Sequence, residues 1–79
     1  MQIHVYDHAQ QVGQAAATLL AAQLISKPDS VLGLATGEDK AQAIHDTVCG
    51  DITPRTPASI LKTHPDVILL LDRAAAGML

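Results

Sequence analysis

The chain has 79 residues, 48% of them hydrophobic and 16% charged, which is room for one small water-soluble domain and too apolar a composition for a disordered segment. Its net charge is −3, and Lys27, Lys40, Arg55, Lys62 and Arg73 are scattered without a cluster, so neither nucleic acid nor an anionic membrane is an expected partner. Tyr6 is the sole aromatic residue, so alanine and aliphatic side chains must fill the core, which argues against a deep aromatic pocket.

In chain order, residues 2–6 alternate polar and apolar and predict a half-exposed edge strand. Asp7 followed by Gln10 has capping-box spacing and predicts a helix start. Val12, Ala15, Ala16, Leu19, Leu20 and Leu24 recur at steps of three or four and make one apolar stripe. Pro28 ends that helix near Ser26 or Lys27. Residues 31–35, Val-Leu-Gly-Leu-Ala, form an apolar run of strand length that suits a parallel strand buried on both faces.

Thr36-Gly37-Glu38-Asp39 turns the chain into a second helix, with Ala41, Ile44 and Val48 facing inward and Gly50 as its stop. Thr56-Pro57 predicts a short third helix that ends by His64, because Pro65 follows. Residues 67–71, Val-Ile-Leu-Leu-Leu, are the most apolar strand, and Asp72 then caps an alanine-rich tail at residues 74–76. The predicted order is βαβααβ. Its long connections imply parallel pairing, so the fold class is α/β, a small three-layer, doubly wound type with about three parallel strands.

The longest apolar runs, residues 15–22 and 67–71, fall well short of the roughly 20 residues of a membrane span, and residues 1–6 lack a signal-peptide pattern. One cysteine, Cys49, cannot make an internal disulfide. A reducing, cytoplasmic location is the expectation.

Chemistry is most plausible at the turn after the second strand. In open parallel sheets ligands sit beyond the carboxyl ends of strands, and a helix start offers N–H groups to a phosphate. Gly37 lets the backbone approach a ligand closely, and Lys40 adds positive charge. Glu38 and Asp39 can satisfy the helix dipole themselves, so an acidic helix N-terminus on an ordinary turn is the competing reading. His4, His8, His45 and His64 lack zinc spacing on one helix, and Cys49 has no thiol partner and reads as a small buried hydrophobe. Asp72 stands where a functional acid would be placed, and a helix N-cap accounts for it equally well. No metal or cofactor is expected. Ser59 has no neighbouring base motif, and no Ser–His–acid arrangement is found.

Two stretches carry a resemblance. Residues 31–37, Val-Leu-Gly-Leu-Ala-Thr-Gly, with the preceding strand, the helix containing Gln11-Val12-Gly13 and the Lys27-Pro28 turn, resemble the opening strands and phosphate loop of the glucosamine-6-phosphate deaminase family, sugar-phosphate isomerase/deaminases related to 6-phosphogluconolactonase. Residues 37–41, Gly-Glu-Asp-Lys-Ala, resemble that family's late Gly-x-x-Lys-Ala helix start. Residues 56–65, Thr-Pro-Ala-Ser-Ile-Leu-Lys-Thr-His-Pro, and then residues 67–76, resemble its closing segments. The two ends meet at Thr36-Gly37, which implies a single domain over residues 1–79 with a junction near residues 36–38 and the family's middle deleted.

The resemblance implies amino-sugar metabolism: conversion of glucosamine 6-phosphate to fructose 6-phosphate and ammonia. In the family an aspartate base and an Asp–His–Glu ring-opening relay do this work, and all are carried by the middle segment. No residue here matches them, so the chain is expected to be catalytically inactive alone, with no catalytic residues. Lys40 matches the lysine that contacts the substrate phosphate, and Thr36 and Gly37 match the start of the phosphate loop. Glu38-Asp39-Lys40 replaces the loop's Ser/Gly-Thr-Pro continuation, the arginine partner is absent, and Arg73 stands where the family has an acid. A sugar phosphate is thus the expected ligand, weakly held. The alternative is a non-catalytic binding or self-associating domain, since a three-stranded sheet leaves an open edge that favours a homo-oligomer.

Overall fold

The computed structural model describes residues 1–27 and 29–79, and the side chains of all of these except residues 23–25. The expected contribution of Leu24 to the apolar stripe and the placement of Pro28 therefore lie outside the described residues. The order is β1 (Gln2–Tyr6), α1 (Ala9–Ser26), β2 (Val31–Ala35), a 3-10 turn (Glu38–Lys40), α2 (Ala41–Cys49), a second 3-10 segment (Pro57–Thr63) and β3 (Val67–Asp72).

The three strands form one parallel sheet in the order β1-β3-β2. The most apolar strand is central because it alone has a neighbour on each side, and all six of its residues are buried. In a parallel sheet paired residues share a face. Ile68 and Leu70 face α1, where they cluster with Val12 and are flanked by Tyr6, Ala15, Ala16, Leu19 and Leu32. Val67, Leu69 and Leu71 point to the other side and are also buried. There α2 and the second 3-10 segment pack against each other, with Ala41, Thr47 and Ser59 buried, giving a three-layer, doubly wound arrangement.

The edge position expected for β1 is found. β2 differs from the expectation of burial on both faces: it is the opposite edge, and Leu34 is 52% exposed. A continuous apolar run identifies a strand but not its place in the sheet, and the longer run of β3 takes the centre. Gly33 still has a packing role, because a Cβ there would lie 2.7 Å from Cδ2 of its paired neighbour Leu69.

Three local expectations also shift. The cap of α1 moves by one residue: the His8 N–H donates to Oε1 of Gln11 at 3.0 Å, while Asp7 binds Arg73. The segment after Pro57 is 3-10, and residues 73–78 form turns rather than a helix. Gly50 does stop α2, but with φ −83. Glycine is needed there because a Cβ would sit 2.6 Å from the Asp46 carbonyl oxygen.

Candidate functional site

The register places Ala35 of β2 beside Leu71 of β3, so Thr36 and Gly37 leave the sheet next to Asp72. Gly37 has φ 93, a conformation that L side chains rarely adopt, and a Cβ would meet Oδ1 of Asp39 at 2.8 Å. The Lys40 N–H donates to the Gly37 carbonyl at 3.2 Å and closes the 3-10 turn; the Ala41 N–H donates to the Glu38 carbonyl and starts α2. The three predicted phosphate residues, Thr36, Gly37 and Lys40, thus lie in one tight turn at the carboxyl ends of β2 and β3. The Thr36 and Lys40 side chains are exposed, as are those of Glu38 and Asp39.

Asp72 organises the same corner from beneath. Its carboxylate, 7% exposed, accepts the Gly37 N–H with both oxygens at 3.2 Å, and Oδ1 also accepts the Ala75 N–H at 2.8 Å. The Ala75 contact agrees with a capping role. The Gly37 contact escaped the sequence reading, although an acid at the end of the central strand beside a glycine turn was the available signal.

At the neighbouring end of β1, Arg73 Nε donates to Asp7 Oδ1. The hydrogen bond and positive charge of Arg73 hold the Asp7 carboxyl below its usual range. Both groups are exposed, so solvent screens the pair. The Arg73 guanidinium is therefore paired with a carboxylate.

A groove of about 240 Å³ lies between the start of α1 and the end of β2, lined by Ala9, Val12, Gly13, Leu34, Ala35 and Thr36. It is smaller than the roughly 300 Å³ where ordinary ligand clefts begin, and its only side-chain polar group is Thr36. A larger groove of about 480 Å³ runs between β1 and α1, past His4, Tyr6, Gln11, Gln14 and Thr18. No Lys or Arg lines it, and three of its polar groups are engaged locally: His4 at Gln2, Gln11 at His8 and the Thr18 hydroxyl at the Gln14 carbonyl. Neither groove is lined by Lys or Arg, and the smaller one adjoins the turn through Thr36.

The other candidates stay apart. His4 lies beside Gln2, His45 beside Asp46, and His64 Nδ1 accepts the Asp66 N–H at 3.0 Å. Among the described residues no three His, Cys, Asp or Glu side chains group as metal ligands. Cys49 is exposed, contrary to its reading as a buried hydrophobe, because it ends α2 on the solvent side. Buried Ser59 accepts the Thr53 N–H at 3.0 Å and donates to the Thr53 carbonyl at 3.3 Å, which makes it a latch for the preceding loop. Among the described residues no helix is long and apolar enough to cross a membrane.

No protein-family model matches the chain. Individual relatives do. A glucosamine-6-phosphate deaminase of Clostridium botulinum (strain Alaska E43 / Type E3) is 53% identical over 55 residues, covering 70% of this chain and 22% of the relative. One from Clostridioides difficile (strain 630) is also 53% identical over 55 residues. One from Rhodopirellula baltica is 40% identical over 74 residues, 94% of this chain and 29% of that protein. The chain thus spans about a quarter of the length of these curated relatives, and by this similarity it belongs to the glucosamine-6-phosphate deaminase family.

Proposed function

We propose that this chain carries part of the phosphate-holding corner of a glucosamine-6-phosphate deaminase site without the groups that move protons, and that it is a weak sugar-phosphate binder with no turnover of its own. The single observation behind this reading is the Thr36–Lys40 turn at the adjoining carboxyl ends of β2 and β3, in a chain 40–53% identical to deaminases. Aldose–ketose isomerisation with loss of ammonia needs an acid and a base within reach of the sugar carbons. His4, His45 and His64 contact Gln2, Asp46 and Asp66 in turn, and Asp72 is spent on two backbone amides. A junction near residues 36–38 explains why the turn carries Glu38-Asp39-Lys40 where the family loop continues differently. A cytoplasmic setting follows from the sugar-phosphate ligand.

Amide NMR with added glucosamine 6-phosphate tests the reading. Shifts are expected at residues 37–41, with dissociation in the millimolar range. Lys40→Ala should weaken binding roughly two- to fivefold, the effect of one exposed charge. Unchanged binding in that variant overturns the assignment. Ammonia release by the pure chain, lost in Lys40→Ala, overturns the absence of turnover.

A second reading, self-association, rests on β1. Ile3 and Val5 share a face with Leu69 and Leu71, yet are 38% and 50% exposed, and among the described residues no strand lies beside the outer edge of β1. An open edge with apolar side chains favours pairing with a second copy. Sedimentation that gives a monomer at high micromolar concentration refutes it.

A further inference from the structure

We propose that Asp72 is an internal anion of this turn: its carboxylate holds the Gly37 amide that a phosphate would otherwise take, and so sets how weakly the turn binds anions. The inference rests on the reading of residues 36–40 as a phosphate site. It begins from a mismatch in that site. A phosphate loop offers backbone N–H groups to its ligand. Here the Gly37 N–H is directed at both oxygens of Asp72, at 3.2 Å, and the Lys40 N–H is used by the Gly37 carbonyl. The carboxylate is well placed to persist there. It is 7% exposed, it is fixed on the central strand, and its Oδ1 has a second donor in the Ala75 N–H at 2.8 Å.

Two consequences follow. The Gly37 amide is unavailable to a ligand, which leaves the exposed Thr36 hydroxyl and the Lys40 ammonium as the accessible side-chain donors of the turn. A negative charge also lies one hydrogen bond away from the Gly37 backbone of that loop. Asp72 is therefore a positioning residue. It fixes the backbone at Gly37, where φ is 93, and opposes the ligand electrostatically.

Asp72→Asn tests this, because it removes the charge while its single carbonyl oxygen can keep the short Ala75 bond, and the NH2 that takes the place of the second oxygen cannot accept the Gly37 N–H. A unit charge about 5 Å from a phosphate dianion in water-like surroundings corresponds to roughly tenfold in affinity. The experiment is titration of the isotope-labelled chain with inorganic phosphate at constant ionic strength, read at the amides of residues 36–41. The expected result is weak binding by the native chain with little movement of the Gly37 amide. In Asp72→Asn, binding should be about tenfold tighter and the Gly37 amide should now shift. Equal affinities overturn the internal-anion role and leave the phosphate site standing. No shift in either protein at about 100 mM phosphate overturns the site itself and the role with it. If the variant does not fold, hydrogen exchange in the native chain decides: a Gly37 amide held by Asp72 exchanges more slowly than that of exposed Glu38, and equal exchange overturns the proposal.

Discussion

Replacing Leu70 by alanine, with Leu34→Ala as its partner experiment, measures how far the stability of this domain rests on the central strand. The two leucines are paired neighbours on the face that looks toward α1, so they share a chemistry and a local geometry. They differ in burial: Leu70 is fully buried and Leu34 is 52% exposed. Full burial of a leucine contributes about 1.5–3 kcal/mol, and truncation in a packed site adds the cost of the cavity, for a total of about 3 kcal/mol. At Leu34 about half the transfer contribution applies and no enclosed cavity forms, so about 1 kcal/mol is lost. A domain of this length has roughly 4–12 kcal/mol of stability in total, so Leu70→Ala should remove a quarter or more of it. Urea unfolding followed by circular dichroism reads the difference as a shift in midpoint with an unchanged slope. Equal losses at the two positions would refute the assignment of β3 to the centre and β2 to the edge. A loss below about 1 kcal/mol at Leu70 would refute the packing itself.

Gly37→Ala forces a side chain onto a backbone with φ 93 and against Oδ1 of Asp39; it should cost about 1–2 kcal/mol and move amide signals mainly at residues 36–40, and an unshifted urea midpoint argues against this loop conformation. Ser59→Ala leaves the Thr53 N–H without its acceptor in a buried corner and should cost about 1–3 kcal/mol; a change under about 0.5 kcal/mol in urea unfolding counts against the latch. Acid should weaken the fold through Asp66, whose carboxyl is held low by the Ser30 hydrogen bond, against burial and with help from Lys27. A carboxyl with a folded pKa below its unfolded one stabilises fully above the unfolded value, near 4, and loses that contribution as pH falls through the folded one. Stability should therefore be flat from pH 7 to about 5 and fall below that. Ser30→Ala should flatten the fall, and an unaltered acid profile in that variant refutes the assignment.

The three strands and the two α-helices were legible because each rests on local chemistry. The stripe on α1, the proline at the start of the second 3-10 segment and the apolar run of β3 need no knowledge of the rest of the chain, although Leu20, expected in that stripe, lies at its margin and is 50% exposed, outside the cluster that Val12, Ala15, Ala16 and Leu19 join. Strand order was not legible. β2 and β3 both read as continuous apolar runs, and only the pairing of β1 with β3, about 66 positions apart, shows which lies in the middle. The short helices were misread for a related reason. The chain from Pro57 to Thr63 has a helix start and no long apolar stripe, so tertiary packing at Ser59 decides its geometry.

At the site, the residue types in the turn were legible, but the state of its donors was not. Thr36, Gly37 and Lys40 are consecutive enough for sequence to place them together, whereas the Gly37–Asp72 hydrogen bonds join positions 35 residues apart. That link changes what the turn can offer. Asp72 belongs to the strand whose burial forms the core, so the geometry of Gly37 exists only once β3 is paired between β1 and β2. Loop and core are then one cooperative unit. A substitution such as Leu70→Ala, far from any ligand, should weaken apparent phosphate binding to the extent that it raises the unfolded fraction, and a ligand bound at the turn should stabilise the whole domain by mass action. A change at Gly37 or Asp72 would act on the site directly. Measuring affinity and stability on the same variants separates the two classes, because a core variant recovers full affinity under conditions that restore folding and a loop variant does not.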